Sequence, residues 1–259
     1  MRYVLAIEYD GSGYCGWQHQ KHCKSVQSVV EQALSDVASE SINLTCAGRT
    51  DSGVHAVAQF AHFDTNAVRP DRAWILGTNS QLEKESASVH WVASVGDDFH
   101  ARYSALSRRY RYIVLNRLAK PGLQKGRVCC VHQPLDEVAM NQAAKYLIGE
   151  HDFSAFRAAG CQARHAVREI ISLTVYRRHD RVYLDICANA FLHNMVRIIV
   201  GNLLQVGKGL EKPEWIREVL LGRDRTRGGV TAVPDGLYFL GAQYPSEFAI
   251  PDFSRDWRN

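Results

Sequence analysis

The chain has 259 residues, of which 46% are hydrophobic and 22% charged. This suits one large domain or two of ~100–150 residues and excludes a disordered chain. The net charge of +4 is small, and no stretch approaches the roughly 18 uninterrupted apolar residues of a membrane helix; the apolar run Met195 to Val200 is broken at once by Arg197.

Arg2 to Tyr9 alternates and reads as a first strand, not as a signal peptide, so the chain is expected to stay in the cytoplasm. Asp10 to Lys24 is a loop rich in glycine and polar residues. A helix follows with Ser25 as N-cap and Val26, Val29, Val30, Ala33, Leu34 and Val37 on one face. Ile42 to Ala47 is a short strand, broken at Gly48 to Gly53, and Val57 to Asp64 is a second half-buried strand. A short helix near Asp71 to Gln81 and a strand at Val89 to Val95 complete about a hundred residues.

The second half repeats this style, with a strand at Arg108 to Asn116 and a helix over Leu135 to Leu147. Strands at Ile170 to Arg177 and Arg181 to Ala188 flank a tight turn. A long helix runs from about Phe191 to Val206, a short one lies near Pro213 to Leu221, and a last strand spans Leu237 to Tyr244. The tail after Pro245 reads as peripheral. Paired strands mixed with helices predict an α+β fold with antiparallel sheets, in two related halves over residues 1–104 and 105–259.

Seven cysteines fit a reducing compartment. Their number is odd, Cys129 and Cys130 are adjacent, and no CxxC occurs, so neither a disulfide framework nor a zinc knuckle is expected. From His100 to Arg127 there are eight basic side chains (Arg102, Arg108, Arg109, Arg111, Arg117, Lys120, Lys125, Arg127) and no Asp or Glu, interleaved with Tyr103, Tyr110 and Tyr112. Such a run suits a polyanion bearing flat bases, and equally a solvated strand face.

Gly11-Ser12-Gly13-Tyr14-Cys15-Gly16 matches a dinucleotide-binding pattern, but the helix begins about nine residues too late for its N-terminus to meet a pyrophosphate. His55 with His62, and His19 with His22 and Cys23, lack a second cluster at zinc spacing, so no metal is expected. The loop Ala47 to Ala56 is more informative. Its Asp51 either forms an Asx turn or is carried by flanking glycines out of the sheet to do chemistry.

Gly48-Arg49-Thr50-Asp51-Ser52-Gly53-Val54-His55 closely resembles the catalytic loop of the tRNA pseudouridine synthase A family, which usually has alanine at the position of Ser52. The resemblance continues through Tyr9-Asp10-Gly11, Tyr14, Gly16-Trp17-Gln18, Phe99 to Ala105, Arg108 to Tyr112, Asp152-Phe153, Phe156-Arg157, Asn189 to Phe191 and Met195 to Arg197. It implies two ferredoxin-like halves sharing a continuous antiparallel sheet, with an RNA cleft between them. It further implies a homodimer, no cofactor or metal, and tRNA as partner, modified at uridines 38 to 40 of the anticodon stem-loop.

Making pseudouridine breaks the N1–C1′ bond, turns the uracil and joins C5 to C1′, without redox or external energy. The resemblance assigns the nucleophilic or basic role to Asp51. It makes Arg197 the ion-pair partner that keeps Asp51 oriented, where the bare sequence also allows a snorkelling side chain. Tyr110 is assigned to stack on the target base and move a proton, although its place in the alternation also suits a core residue. Arg49 is expected to help displace the base, and Arg109 and Arg111 to contact the RNA. A silent RNA-binding module on this fold, or a related synthase for another RNA, are the competing readings.

Overall fold

The computed structural model describes residues 1–255, which form two compact units, 1–108 with 238–255 and 109–237. Both are mixed α+β with mostly antiparallel sheets. No helix among the described residues is long and apolar enough to cross a membrane.

In the first unit β1 (Arg2–Tyr9) lies between β4 (Ala87–Val95) and β3 (His55–Asp64), antiparallel to both. Tyr3 to Ile7 are buried without alternation, so both faces of the strand are covered as well as both its edges. Helix α1 (Val26–Ala38) begins where Ser25 Oγ accepts from Ser28 N and Ser28 Oγ accepts from Ser25 N. Its buried residues Val26, Val30, Ala33 and Leu34 recur at helical spacing. Helix α2 (Asp71–Gln81) brings the fully buried Trp74 against the rings of Tyr3 and Phe63.

The strand expected over Ile42 to Ala47 is only β2 (Thr45–Cys46), paired with His62 and Ala61 of β3. Because β2 is so short, the start of β3 keeps an open edge. There β10 (Leu237–Gln243) pairs in parallel, Tyr238 with His55 and Phe239 with Ala56. The order β4-β1-β3-β2 with the connection β1-α1-β2-β3-α2-β4 is ferredoxin-like. The division at 104/105 therefore differs from the compact units, because pairing with β3 returns residues 238–255 to the first one. The tail is also not merely peripheral: the Phe253 ring packs against His90, Phe60 and Trp91.

In the second unit the order is β5-β9-β8-β7, from β5 (Ser107–Asn116), β7 (Gly149–Asp152), β8 (Val167–Arg178) and β9 (Arg181–Ala188). The short β6 (Cys129–Val131) joins β5 in parallel. Strands β6 and β7 are too short to show a period, which is why no sequence pattern announced them. Helix α3 (Glu137–Ala144) starts at Asp136, whose side chain accepts from Val138 N and Ala139 N. Helix α4 (Met195–Gly207) packs on α3 and starts later than expected, because Asn194 has φ 60° and interrupts helical backbone. A last helix, α5, spans Trp215–Gly222.

One cysteine expectation is corrected. Cys15 and Cys23 are joined as a disulfide across the loop before α1, with Cα atoms 6.2 Å apart. The chain turns back within that loop and brings together two sulfurs whose sequence spacing matches no framework. Of the other five, Cys46, Cys129 and Cys187 are buried, and burial pushes the Cys46 thiol up to about 12.

Buried His62 accepts from Ala101 N at Nδ1 and faces the His100 ring. Burial, with His100 and Arg2 nearby, pushes its imidazole down to about 4. Between about 4 and 6.5 the unfolded chain binds the proton that the folded one refuses, so stability should fall as pH drops through that window. Thermal melts of wild type and His62→Gln between pH 7.5 and 4 check this: the variant should lose less midpoint on acidification. Parallel curves would exclude His62 as the source.

Candidate active site

The loop from Ala47 to Val54 in the first unit carries Asp51, half-buried, and Arg49, exposed. Backbone and buried polar contacts hold it on several sides. Trp17 N donates to Thr50 O at 3.0 Å and Val54 N to Asp51 O at 3.1 Å. Thr50 Oγ1 and Tyr9 Oη share a buried hydrogen bond of 2.7 Å, and Gln59 Nε2 donates to Gly48 O at 2.6 Å. Ser52, where the family usually has alanine, uses its hydroxyl to donate to Tyr14 O at 3.2 Å. His55, stacked on Tyr238 at 4.7 Å, accepts from Gly11 N.

The glycines of the discarded dinucleotide pattern now have a cause. A Cβ on Gly11 would overlap the Val54 carbonyl, and one on Gly16, at φ +91°, would lie 2.7 Å from Thr50 O. The loop before α1 therefore presses its main chain directly against the Asp51 loop.

The remaining expected residues lie in the second unit. Tyr110 on β5 is 8% exposed, with its ring edge-on to Phe191 at 5.1 Å. Arg197, in the first turn of α4, donates from Nε to Ala232 O at 2.8 Å and from Nη1 to Asn194 Oδ1 at 2.9 Å. A snorkelling side chain would lie loose along the helix, whereas two acceptors on different segments set the plane of this guanidinium. Arg109 is half-buried beside Tyr110.

Arg111 differs from expectation. It is 4% exposed and meets Asp185 through two bonds, Nε to Oδ1 at 2.7 Å and Nη2 to Oδ2 at 2.8 Å, with the Tyr183 ring beneath it. The forked ion pair, buried on its Arg111 side and half-buried at Asp185, ties β5 to β9, and withdrawing Arg111 to meet a phosphate would break both of its bonds. Arg108 is likewise turned inward, donating to the carbonyls of Ala47, Ala105 and Arg102. The basic stretch is thus no single patch; Arg102, Arg117, Lys120, Lys125 and Arg127 are its exposed members.

Sequence reading missed Tyr9, Thr50 and Gln59 as supports of the Asp51 loop, and Asn194 as an acceptor for Arg197. Tyr9, Thr50 and Asn194 fall inside or beside motifs already noted, but only the fold shows which atoms they meet.

The model of the family described as tRNA pseudouridine synthase matches residues 5–104 and 143–245. The chain belongs to that family, whose activity is isomerisation of uridine in tRNA. Among curated relatives, tRNA pseudouridine synthase A of Hydrogenovibrio crunogenus is 55% identical over 96% of this chain and 94% of its own. The synthases A of Idiomarina loihiensis and Coxiella burnetii are 52% and 51% identical, over 97% and 96% of this chain and 96% and 95% of their own.

If Arg111 is structural, Arg111→Lys should destabilise the protein by about 1–3 kcal/mol, since one ammonium cannot replace a forked pair. The salt dependence of tRNA binding should stay as in wild type. Chemical denaturation and affinity at several ionic strengths check this, and a stable variant with a shallower salt slope would return Arg111 to the RNA.

Proposed function

We propose that the chain isomerises uridine at positions 38 to 40 of the tRNA anticodon stem-loop, as a cytoplasmic homodimer without cofactor or metal. The observation that carries the reading is the matched Asp51 loop, held by main chain and buried polar contacts from Tyr9, Trp17 and Gln59. A carboxylate that must meet one carbon atom of a flipped nucleotide gains most from such a fixed mount, because small misplacements are costly in rate.

In this reading Asp51 is the nucleophile or base that enables N1–C1′ cleavage, and Arg197 keeps it ionised and aimed. Tyr110 stacks on the uracil and supplies a hydroxyl for proton transfer. The edge-on contact with Phe191 supports this by limiting rotation of the ring. Exposed Arg49 helps displace the base, and Arg109 contacts the backbone beside it. Three neighbouring target positions require recognition of shape and backbone more than of base sequence.

Joining C5 to C1′ expels the C5 hydrogen, so tRNA tritiated at uracil C5 should release label to water with wild type and no added nucleotide, metal or reductant. Asp51→Ala should bind the same tRNA comparably and release nothing above background. Release by that variant removes Asp51 from the mechanism. Binding without release by either protein would instead identify a silent RNA-binding module.

Arg197→Lys should fold yet turn over about tenfold slower or worse, because a point charge lacks the planar fork. Tyr110→Phe should keep tRNA affinity while slowing product formation; equal loss of binding and turnover would make Tyr110 structural.

A further inference from the structure

Asn202 is an unusual residue for its place. It sits on α4 with 0% exposure, among Ile198, Ile199, Leu203 and other buried apolar residues. A polar amide there is tolerated only when it is bonded. Its Nδ2 donates to Ile198 O at 2.7 Å, which fixes the amide so that Oδ1 accepts from Gly229 N at 2.8 Å. One residue earlier, a Cβ on Gly201 would overlap the Val230 carbonyl, so the segment 228–232 lies directly on the helix backbone. From the other side Arg225 donates to Gly229 O at 3.0 Å and Thr231 Oγ1 at 3.1 Å.

The segment pinned in this way ends on Arg197. Ala232 N donates to Arg197 O at 3.0 Å, and Ala232 O accepts from Arg197 Nε at 2.8 Å. Nε carries a single hydrogen in the guanidinium plane, so its acceptor sets the direction of that plane. Neither Asn202 nor Arg225 has a bond to Arg197 among the contacts described, yet both fix the segment that supplies its acceptor.

We propose that Asn202 and Arg225 are positioning residues for Arg197, acting through the segment 228–232. The proposal rests on the reading that Arg197 aims Asp51. Releasing the segment lets Ala232 O drift, and the guanidinium keeps its charge but loses its direction. The effect should therefore fall on turnover and not on tRNA affinity.

A double-mutant cycle tests this. Asn202→Ala should lower kcat about tenfold with tRNA Kd within about twofold of wild type. In an Arg197→Lys background the same change should alter kcat by less than about twofold, because the group it aims is already gone. Arg225→Gln, at a half-exposed site that opens no core cavity, should show the same coupling and serves if Asn202→Ala does not fold. Equal, additive losses in both backgrounds would overturn the proposal and make the segment a general brace.

A second readout needs no turnover. In protein with 15Nε-arginine, the Arg197 Nε–H signal, assigned by its loss in Arg197→Lys, should be protected from exchange in wild type. It should exchange quickly in Asn202→Ala or Arg225→Gln. Unchanged protection overturns the positioning role. Loss of protection in a protein that never released tritium would uphold the clamp while removing the enzymatic reading of Arg197.

Discussion

The constraint on which the Asp51 loop depends is main chain lying on main chain beneath it. Gly11 and Gly16 leave no room for a Cβ against Val54 and Thr50, and Trp17 N completes the contact through Thr50 O. Backbone is the least adaptable part of a protein, so a loop mounted on it inherits the rigidity of β1 and β3. Side chains would have had to give up rotamer freedom to hold the same loop, whereas these contacts ask for none. The buried Tyr9–Thr50 pair then fixes the residue before Asp51.

The same solution appears in the second unit, where Gly201 admits the segment 228–232 to the surface of α4. The first contact falls one residue from Asp51, and the second falls one residue from Asn202 and one helical turn from Arg197. Asn194 adds a local device: its left-handed backbone ends the preceding loop, starts α4 and turns its carboxamide oxygen towards Arg197. Short polar side chains tolerate that conformation better than most, so the turn and the acceptor fall to one residue.

Arginines show how a single residue type is divided between stability and function. Arg111 and Arg108 lie within a basic stretch that reads as an RNA surface, yet the first is sealed against Asp185 and the second caps three carbonyls. Arg102, Arg117, Lys120, Lys125 and Arg127 remain exposed. Alternation along β5 places Arg109 and Arg111 on one face, so periodicity could not separate them. The difference comes from Asp185, which lies 74 residues away on β9.

Much of the fold was readable in the chain because the signals are local. Ser25 followed by helical spacing marked α1, and the tight Arg178-His179-Asp180 turn marked the β8–β9 pair. The pattern over Arg2 to Tyr9 marked β1, although as an alternation that its burial does not follow. The motif around Asp51 points to the chemistry through its resemblance to a family, since the residues of one loop stand together in the sequence; by themselves they also allow an Asx turn. What tertiary structure alone decided was every partner supplied by a distant segment: Asp185 for Arg111, Ala232 for Arg197, Gly229 for Asn202, and the edge of β3 left open for β10. The Cys15–Cys23 pairing belongs there too, although only eight residues separate the two. A hydrogen bond depends on where two atoms meet in space, and a pattern of residue types along the chain carries no record of that meeting.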